Sequence, residues 1–475
     1  MKKYASILAV LVLLLGFAAI SYSAPAEIPS DTTAVIAKGK TQITLGGELR
    51  FRGYYFKNTS DIAAENTEDK AGYDYRVILN MEAKVSPNTT GYVELQSGTS
   101  KDDNVKWGDS TSNTVGAKGI YREGNTNESS MYIRQAWIQY QGSGLLGVPA
   151  GVKVGKQLLK LGNGLFFDHT YFGDDAILAF VQPVKELTIG ALMIKLQEDN
   201  NTLNNDDSTA YSLLGVYAGK GWGLSADVTY VDDQKFLTPN SADLLNLASG
   251  YQNVNVPIHL WNIGLRGNVD DIAGTGLNFR ADVEFQTGKV DASKVGADDL
   301  DFKGWAAMAG LDYNFKTIPL KLTLEYAIGS GDDNQNDNDI KTFITTLGNE
   351  QHYTFVYEYL APTAANYGAG TYTRTGLANT QYVKLGGAYD ITKDLKAELY
   401  GYWLRAVEDV AINGYTTKDK DLGWEVDAKV TYQIDKGLTY FIEGGYFWPG
   451  DAYKLSDGKD ADDAWAVRHG ITLKF

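Results

Sequence analysis

The chain has 475 residues, a formal net charge of −16 and no cysteine. That excludes a disulfide-stapled scaffold and thiol chemistry, and the acidic balance argues against nucleic acid as a partner. It carries 31 Tyr, 17 Phe, 9 Trp and 51 Gly beside only 10 Pro, with a negative mean hydropathy, which suits a barrel with a wet interior and aromatic girdles but also a soluble sandwich or propeller.

At the N-terminus, Lys2 and Lys3 precede an apolar run from Ile7 to Ile20, and Ser21-Tyr22-Ser23-Ala24 follows with small residues at both cleavage positions. This predicts a signal peptide over 1–23, because the run is shorter than the roughly 20 apolar residues of a spanning helix. No cysteine follows to accept a lipid. Residues 24–40 read as a periplasmic N-terminal segment and 41–475 as one transmembrane barrel. Nothing downstream is apolar for long enough to span a bilayer as a helix, so entry into a membrane is by strands.

Alternation supplies those strands. Ile43 to Tyr55 places Glu48, Arg50 and Arg52 on one polar face, and Tyr73 to Val85 answers with Asp74, Arg76, Asn80, Glu82 and Lys84. Leu277, Phe279, Ala281, Val283 and Phe285 oppose Asn278, Arg280, Asp282, Glu284 and Gln286. Leu422, Trp424, Val426, Ala428, Val430, Tyr432 and Ile434 share a face opposite Glu425, Asp427, Lys429, Thr431 and Gln433. Taken in chain order, such runs lie near 41–56, 73–86, 90–98, 129–141, 150–158, 175–183, 185–197, 208–219 and 222–231. They continue near 257–268, 276–287, 302–315, 319–329, 379–390, 395–407, 421–434, 438–447 and 464–475. The expected fold is therefore all-β: a closed antiparallel transmembrane β-barrel of about 18 strands.

The connections are expected to alternate strictly between long and short, the short ones including Pro87-Asn88-Thr89, Pro183-Val184, Gly219-Lys220-Gly221, Lys316-Thr317-Ile318, Thr392-Lys393-Asp394 and Asp435-Lys436-Gly437. Short periplasmic turns opposite long extracellular loops are a mark of outer-membrane barrels. An even strand number leaves both termini in the periplasm. The last strand puts Val467, His469, Ile471, Leu473 and the terminal Phe475 on the lipid face, and a terminal Phe resembles the assembly signal read by the outer-membrane assembly machinery.

Most acid falls in the expected external loops, as Asp102-Asp103, Asp206-Asp207, Asp232-Asp233, Asp298-Asp299, Asp332-Asp333 and Asp460, Asp462 and Asp463. Solvated loops are one reading; divalent cations bridging them to lipopolysaccharide are the other. Asp332, Asp333, Asp337 and Asp339 have the oxygen density of a calcium loop without the Gly and Glu of an EF-hand, so at most an irregular site is expected there. The inner wall is expected to carry Glu48, Arg50, Arg52, Arg76, Glu82, Arg266, Arg280, Asp282, Glu284, Lys321, Glu325, Lys384, Glu398, Glu425, Asp427, Lys429 and Arg468. Opposite signs are nearly balanced, which describes a cross-strand ladder rather than a site for one ion. Tyr54, Tyr400 and Tyr402 would suit sugar stacking if they line the path; packing is the alternative. His169, His259, His352 and His469 have no metal spacing and no nucleophile elbow nearby, and no cofactor motif occurs.

Val154-Gly155-Lys156-Gln157 running into Leu161-Gly162-Asn163-Gly164 resembles the alginate-export family of outer-membrane barrels. Gly329-Ser330-Gly331-Asp332-Asp333 with Asp337, Lys341-Thr342-Phe343 and His352 resembles that family's long late loop, and Gly445-Tyr446-Phe447-Trp448-Pro449-Gly450-Asp451 its penultimate strand and loop. The resemblance implies an 18-stranded monomeric barrel. It also implies a basic pore for polyanionic alginate, from which this acidic chain departs, with Lys156 at the family's Arg position. Three functions remain open: a channel for small polar solutes or saccharides in the Gram-negative outer membrane, a sleeve for a partner protein in a secretion or electron-transfer conduit, and a surface enzyme or adhesin. The channel is non-enzymatic, and its expected surroundings are outer-membrane lipid and lipopolysaccharide. Whether the loop from 330 to 378 plugs the pore, lids it or stands clear is left open.

Overall fold

The computed structural model describes residues 34–38, 41–59, 69–98, 105–106, 131–144, 147–198, 207–234, 257–295, 298–334, 337–345, 347–348, 352–361, 363, 376–410, 418–455 and 457–475. The expected signal peptide, Asp102-Asp103 and Asp206 lie outside them.

The wall begins with β1 (Thr41–Lys57), β2 (Asp69–Ser86), β3 (Thr89–Ser97), β4 (Met131–Gly142), β5 (Ala150–Leu161) and β6 (Phe167–Val184). It continues with β7 (Leu187–Gln197), β8 (Ser208–Gly219), β9 (Trp222–Asp233), β10 (Ile258–Val269), β11 (Leu277–Val290) and β12 (Trp305–Asn314). It ends with β13 (Leu320–Gly329), β14 (Thr380–Thr392), β15 (Leu395–Val410), β16 (Asp419–Asp435), β17 (Leu438–Pro449) and β18 (Ala464–Lys474). Each strand pairs antiparallel with its neighbour in sequence. β18 returns to β1, with Glu48 opposite Lys474 and Lys57 opposite Trp465, so 18 strands close on themselves. Closure pairs the first strand with the last and leaves the wall no free edge, as hydrocarbon requires. Each strand expected from alternation is present. Four short strands are added to the wall, among them Ala34–Lys38 along the start of β1 and Leu300–Phe302 beside Asp339–Ile340.

Outward positions are apolar and bare: Ile138 is 65% exposed, Leu385 63%, Leu213 62% and Trp424 58%. Such a continuous belt is untenable in water and natural against lipid. No described helix is long and apolar enough to cross a membrane.

Three local features depart from the sequence reading. Pro183 and Val184 belong to β6, and the tight turn is Lys185-Glu186. Leu422 does not share the lipid face with Trp424. Gly423, at φ 114°, makes a bulge where Asp421 pairs with Arg405 and Gly423 with Leu404, which turns Leu422 fully inside. Strict alternation of the connections also fails at β5–β6, where only Gly162 to Phe166 join the strands, fewer residues than the turn from 143 to 149 on the other side.

That short connection exists because β5 and β6 run on past a large bulge. Gln157 pairs with Asp174 but Leu159 with His169, leaving Thr170 to Gly173 outside the ladder. Arg134 donates to the Tyr171 and Thr170 carbonyls, each at 2.7 Å, and Lys156 donates to the Gly173 carbonyl at 3.0 Å. Beyond the bulge the hairpin tip from Leu159 to His169 turns into the lumen, where Asn163 N–H donates to Asp282 Oδ2 of β11 at 2.9 Å. His169 is thus part of this hairpin. Leu165, Phe166 and Phe167 are fully buried and pack with Leu178, Phe180, Leu192, Ile194 and Leu214 from the inner faces of β6 to β8. One sector of the inner wall is therefore apolar and covered by the chain's own hairpin.

Candidate functional site

The rest of the inner wall is charged, and its charges meet across neighbouring strands. Arg52 makes a bidentate pair with Asp74 at 2.8 Å, and Arg76 pairs with Glu48 at 2.6 Å. Arg50 and Glu82 sit on the same inner faces of β1 and β2. Arg134 of β4 pairs with Glu94 of β3, which also accepts from the Tyr92 hydroxyl at 2.7 Å. Lys396 pairs with Glu398 at 2.8 Å; Glu443 takes Lys429 at 3.1 Å and the Arg468 guanidinium. All of these pairs but Lys396–Glu398, which lies along β15, are the cross-strand units expected from the polar faces.

Two inner clusters are more elaborate. Arg266 of β10 is 5% exposed and faces three buried carboxylates, Asp227 of β9 and Asp282 and Glu284 of β11. Asn262 donates to Glu284 at 2.7 Å, and Thr229 to Asp227 at 2.8 Å. The Gly162 position of the hairpin lies against this guanidinium: a Cβ there would stand 2.0 Å from Arg266 Nε. Beside it, Arg280 joins Asp312 and Glu325, Lys321 lies 3.8 Å from Asp312, and the Tyr382 hydroxyl donates to Glu325 at 2.7 Å. Lys384 sits over the rings of Tyr400 and Tyr402 at 4.5 and 5.5 Å. All three tyrosines turn inward: Tyr402 is fully packed, and Tyr54, on the face of Arg52 and opposite Arg468, stacks on Phe56 at 4.9 Å.

Among the described residues, Glu425 and Asp427 of β16 form no ion pair of this kind. They hold the β13–β14 loop. Glu425 accepts from the backbone N–H of Phe355 (3.0 Å), Val356 (2.6 Å) and Tyr357 (2.7 Å), and Asp427 accepts from Phe355 at 3.0 Å. Around these bonds Tyr353 stacks on Tyr382 at 4.4 Å, Tyr357 meets Phe447, and Arg468 lies 4.9 Å from the Phe355 ring. Gly445 has no side chain to exclude Val356, whose Cγ2 lies 2.8 Å from where a Cβ would stand. The same loop is tied twice more. Gln286 of β11 exchanges two hydrogen bonds with Ile344, at 2.7 and 2.9 Å, and Asp168 N–H donates to the Leu347 carbonyl at 2.8 Å. The loop is thus moored to β11, to the inward hairpin and to β16–β18, so it occupies the lumen rather than standing clear.

Glu358, fully buried in this seat, accepts from Gly376 N–H and bonds His352 Nδ1 at 2.8 Å. Burial raises its carboxyl well above the ordinary glutamate value, with nearby Glu425 adding to the effect, and desolvation lowers the His352 imidazole to about 4. The acidic start of the loop is neutralised by lysines. Asp333 and Asp337 share Lys341 at 2.6 and 3.3 Å, and Lys303 takes Asp339 at 2.5 Å. The Lys341 bond holds Asp333 below the ordinary carboxylate value; for Asp337 the Asp339 N–H leads and Lys341 assists. Asp332 accepts instead from the Asn334 N–H at 3.0 Å. The four calcium candidates do not converge: among the described residues no group of three or more His, Asp or Glu side chains is placed to hold a metal ion. Sequence reasoning missed Arg134, Asp168 and Glu358 and placed Gln286 on a polar face without its partner, because the bulge and loop atoms they bind follow no alternation pattern.

A closed antiparallel barrel with an apolar belt outside and a charged wall inside defines an outer-membrane channel of the porin type. The chain belongs to the alginate export family, whose model matches residues 41–467. No curated protein matches it. Among solved structures it is similar to the outer membrane protein OprD from Pseudomonas aeruginosa, at 12% identity and TM-score 0.50, over 91% of this chain and 94% of that one. Pseudomonas aeruginosa OpdK, solved with vanillate, matches at 11% identity and TM-score 0.51, over 91% and 98%. Acinetobacter baumannii OccAB2 matches at 13% and 0.51, over 91% and 98%. At these identities the likeness is one of fold.

Proposed function

We propose that the chain conducts small polar solutes or saccharides across the outer membrane, and that it carries no enzymatic activity. The observation that carries this reading is the inner wall, where ion pairs such as Arg52–Asp74 and Arg76–Glu48 present polar groups of both signs to the lumen. Paired opposite charges cancel beyond about 8 Å at physiological salt, so the wall favours neutral or weakly charged solutes over a polyanion. Lys156, at the position where the resemblance implies an arginine, points to the Gly173 carbonyl and serves the bulge instead. A sleeve for a partner protein is disfavoured because the chain's own loop and hairpin fill the space such a partner needs. The test is liposome swelling with the refolded barrel. Neutral sugars should enter faster than uronate oligomers of equal length, and preferential entry of the uronates would overturn the reading.

A further inference from the structure

The loop seat on β16–β18 is built for holding rather than for passage. Three consecutive amides, from Phe355 to Tyr357, converge on one carboxylate whose residue is fully buried, and Asp427 shares the first of them. A carboxylate acceptor makes these bonds charge-assisted, about twice as strong as neutral ones. The rest of the seat is shaped to the same segment, since Gly445 leaves room for Val356 and Tyr382 offers a ring face to Tyr353. On either side of this segment the loop returns on itself: a Cβ on Gly376 would stand 2.7 Å from Thr345 Cβ. The segment is therefore a bight pinned at its tip, and one wall residue carries most of the pin.

We propose that residues 353–360 are a latch that keeps the lumen shut, and that Glu425 is the residue whose release of the three amides opens it. This rests on the channel reading above. A solute crosses only when the tip leaves β16, while the moorings at Gln286 and Asp168 keep the loop's base in place. The two states differ in a small set of bonds at one wall, which is what a two-state element needs.

Three variants of the chain, refolded and checked for heat-modifiable barrel mobility, test it by single-channel recording in planar bilayers. Glu425→Gln keeps the side-chain size and removes the charge; the mean current should rise more than about tenfold, the consequence of weakening several hydrogen bonds to a charged group at once. The pair Val356→Cys with Gly445→Cys, in a chain with no other cysteine, should be silent when oxidised and recover on reduction, because the disulfide fixes the tip to β17. Deleting residues 346–375 joins two points already in contact and should give a constitutively open barrel. If the deletion conducts but Glu425→Gln behaves as the parent, and oxidation changes nothing, the latch is wrong and the channel stands. If the parent already conducts as well as the deletion, the latch is equally wrong. A folded deletion variant that stays silent removes the channel reading itself, and the latch with it.

Discussion

Arg266 shows how the inner wall is held at the level of single groups. Among the described residues its guanidinium is the one cation bonded to Asp227, Asp282 and Glu284, and all four side chains are buried. Removing it leaves carboxylates buried without their partner, a change that costs about 3–5 kcal/mol. Arg266→Met should therefore lower barrel stability by about that much in a urea titration, whereas replacing an exposed ion pair such as Lys459–Asp457 should leave the midpoint unchanged. Gly423 is the second residue on which the wall depends. At φ 114° and with a Cβ position 2.0 Å from the Trp448 carbonyl, it admits no side chain, so Gly423→Ala should destabilise by about 1–3 kcal/mol and return Leu422 toward the lipid face. Neither residue announced its role in the sequence. Arg266 was legible as an inward basic position, but its three partners come from two neighbouring strands; the Gly423 bulge breaks the period that made the rest of β16 readable.

Among elements, the strands were the legible part. A period of two over ten or more residues is imposed by lipid on one side and the lumen on the other, so sequence alone places them. The inward hairpin and the moored loop were not legible, because they obey no period: Leu165, Phe166 and Phe167 read as an apolar stretch in a connection, and only the apolar inner faces of β6 to β8 explain where they go. Phe166→Ala should accordingly cost about 3–5 kcal/mol, more than truncation of an external loop residue, as read by heat-modifiable mobility against temperature. The loop seat adds a pH dependence. Glu358 is raised, so seating takes up a proton that the released segment gives back; the seat is favoured below the ordinary value of 4.5 and weakens as pH rises through the raised one. His352 acts in the opposite sense, its contribution complete above 6.5 and lost as pH falls toward about 4. Where His352 is already neutral Glu358 sets the slope, so open probability should climb as pH rises through the raised Glu358 value in the parent and stay flat in Glu358→Gln.

For the whole molecule, the sequence was sufficient to place 18 strands, their closure and their membrane address because those follow from a repeated physical constraint. The state of the lumen does not follow from any repeat. It depends on contacts between residues far apart in the chain, such as Asp282 with Asn163 and Glu425 with Val356, and on loop charges that end up paired with lysines rather than exposed to a metal. The same pairing separates this barrel from a pore built for a polyanion: its inner charges face each other before they face a solute. Single-channel recording of the refolded chain under a salt gradient tests the central claim most directly. Discrete steps are expected, with a reversal potential near zero as befits a balanced wall, and added neutral sugar should reduce them. Folded barrels that stay silent both in the parent and after deletion of residues 346–375, or a reversal potential that is that of a strongly anion-selective pore, would contradict this.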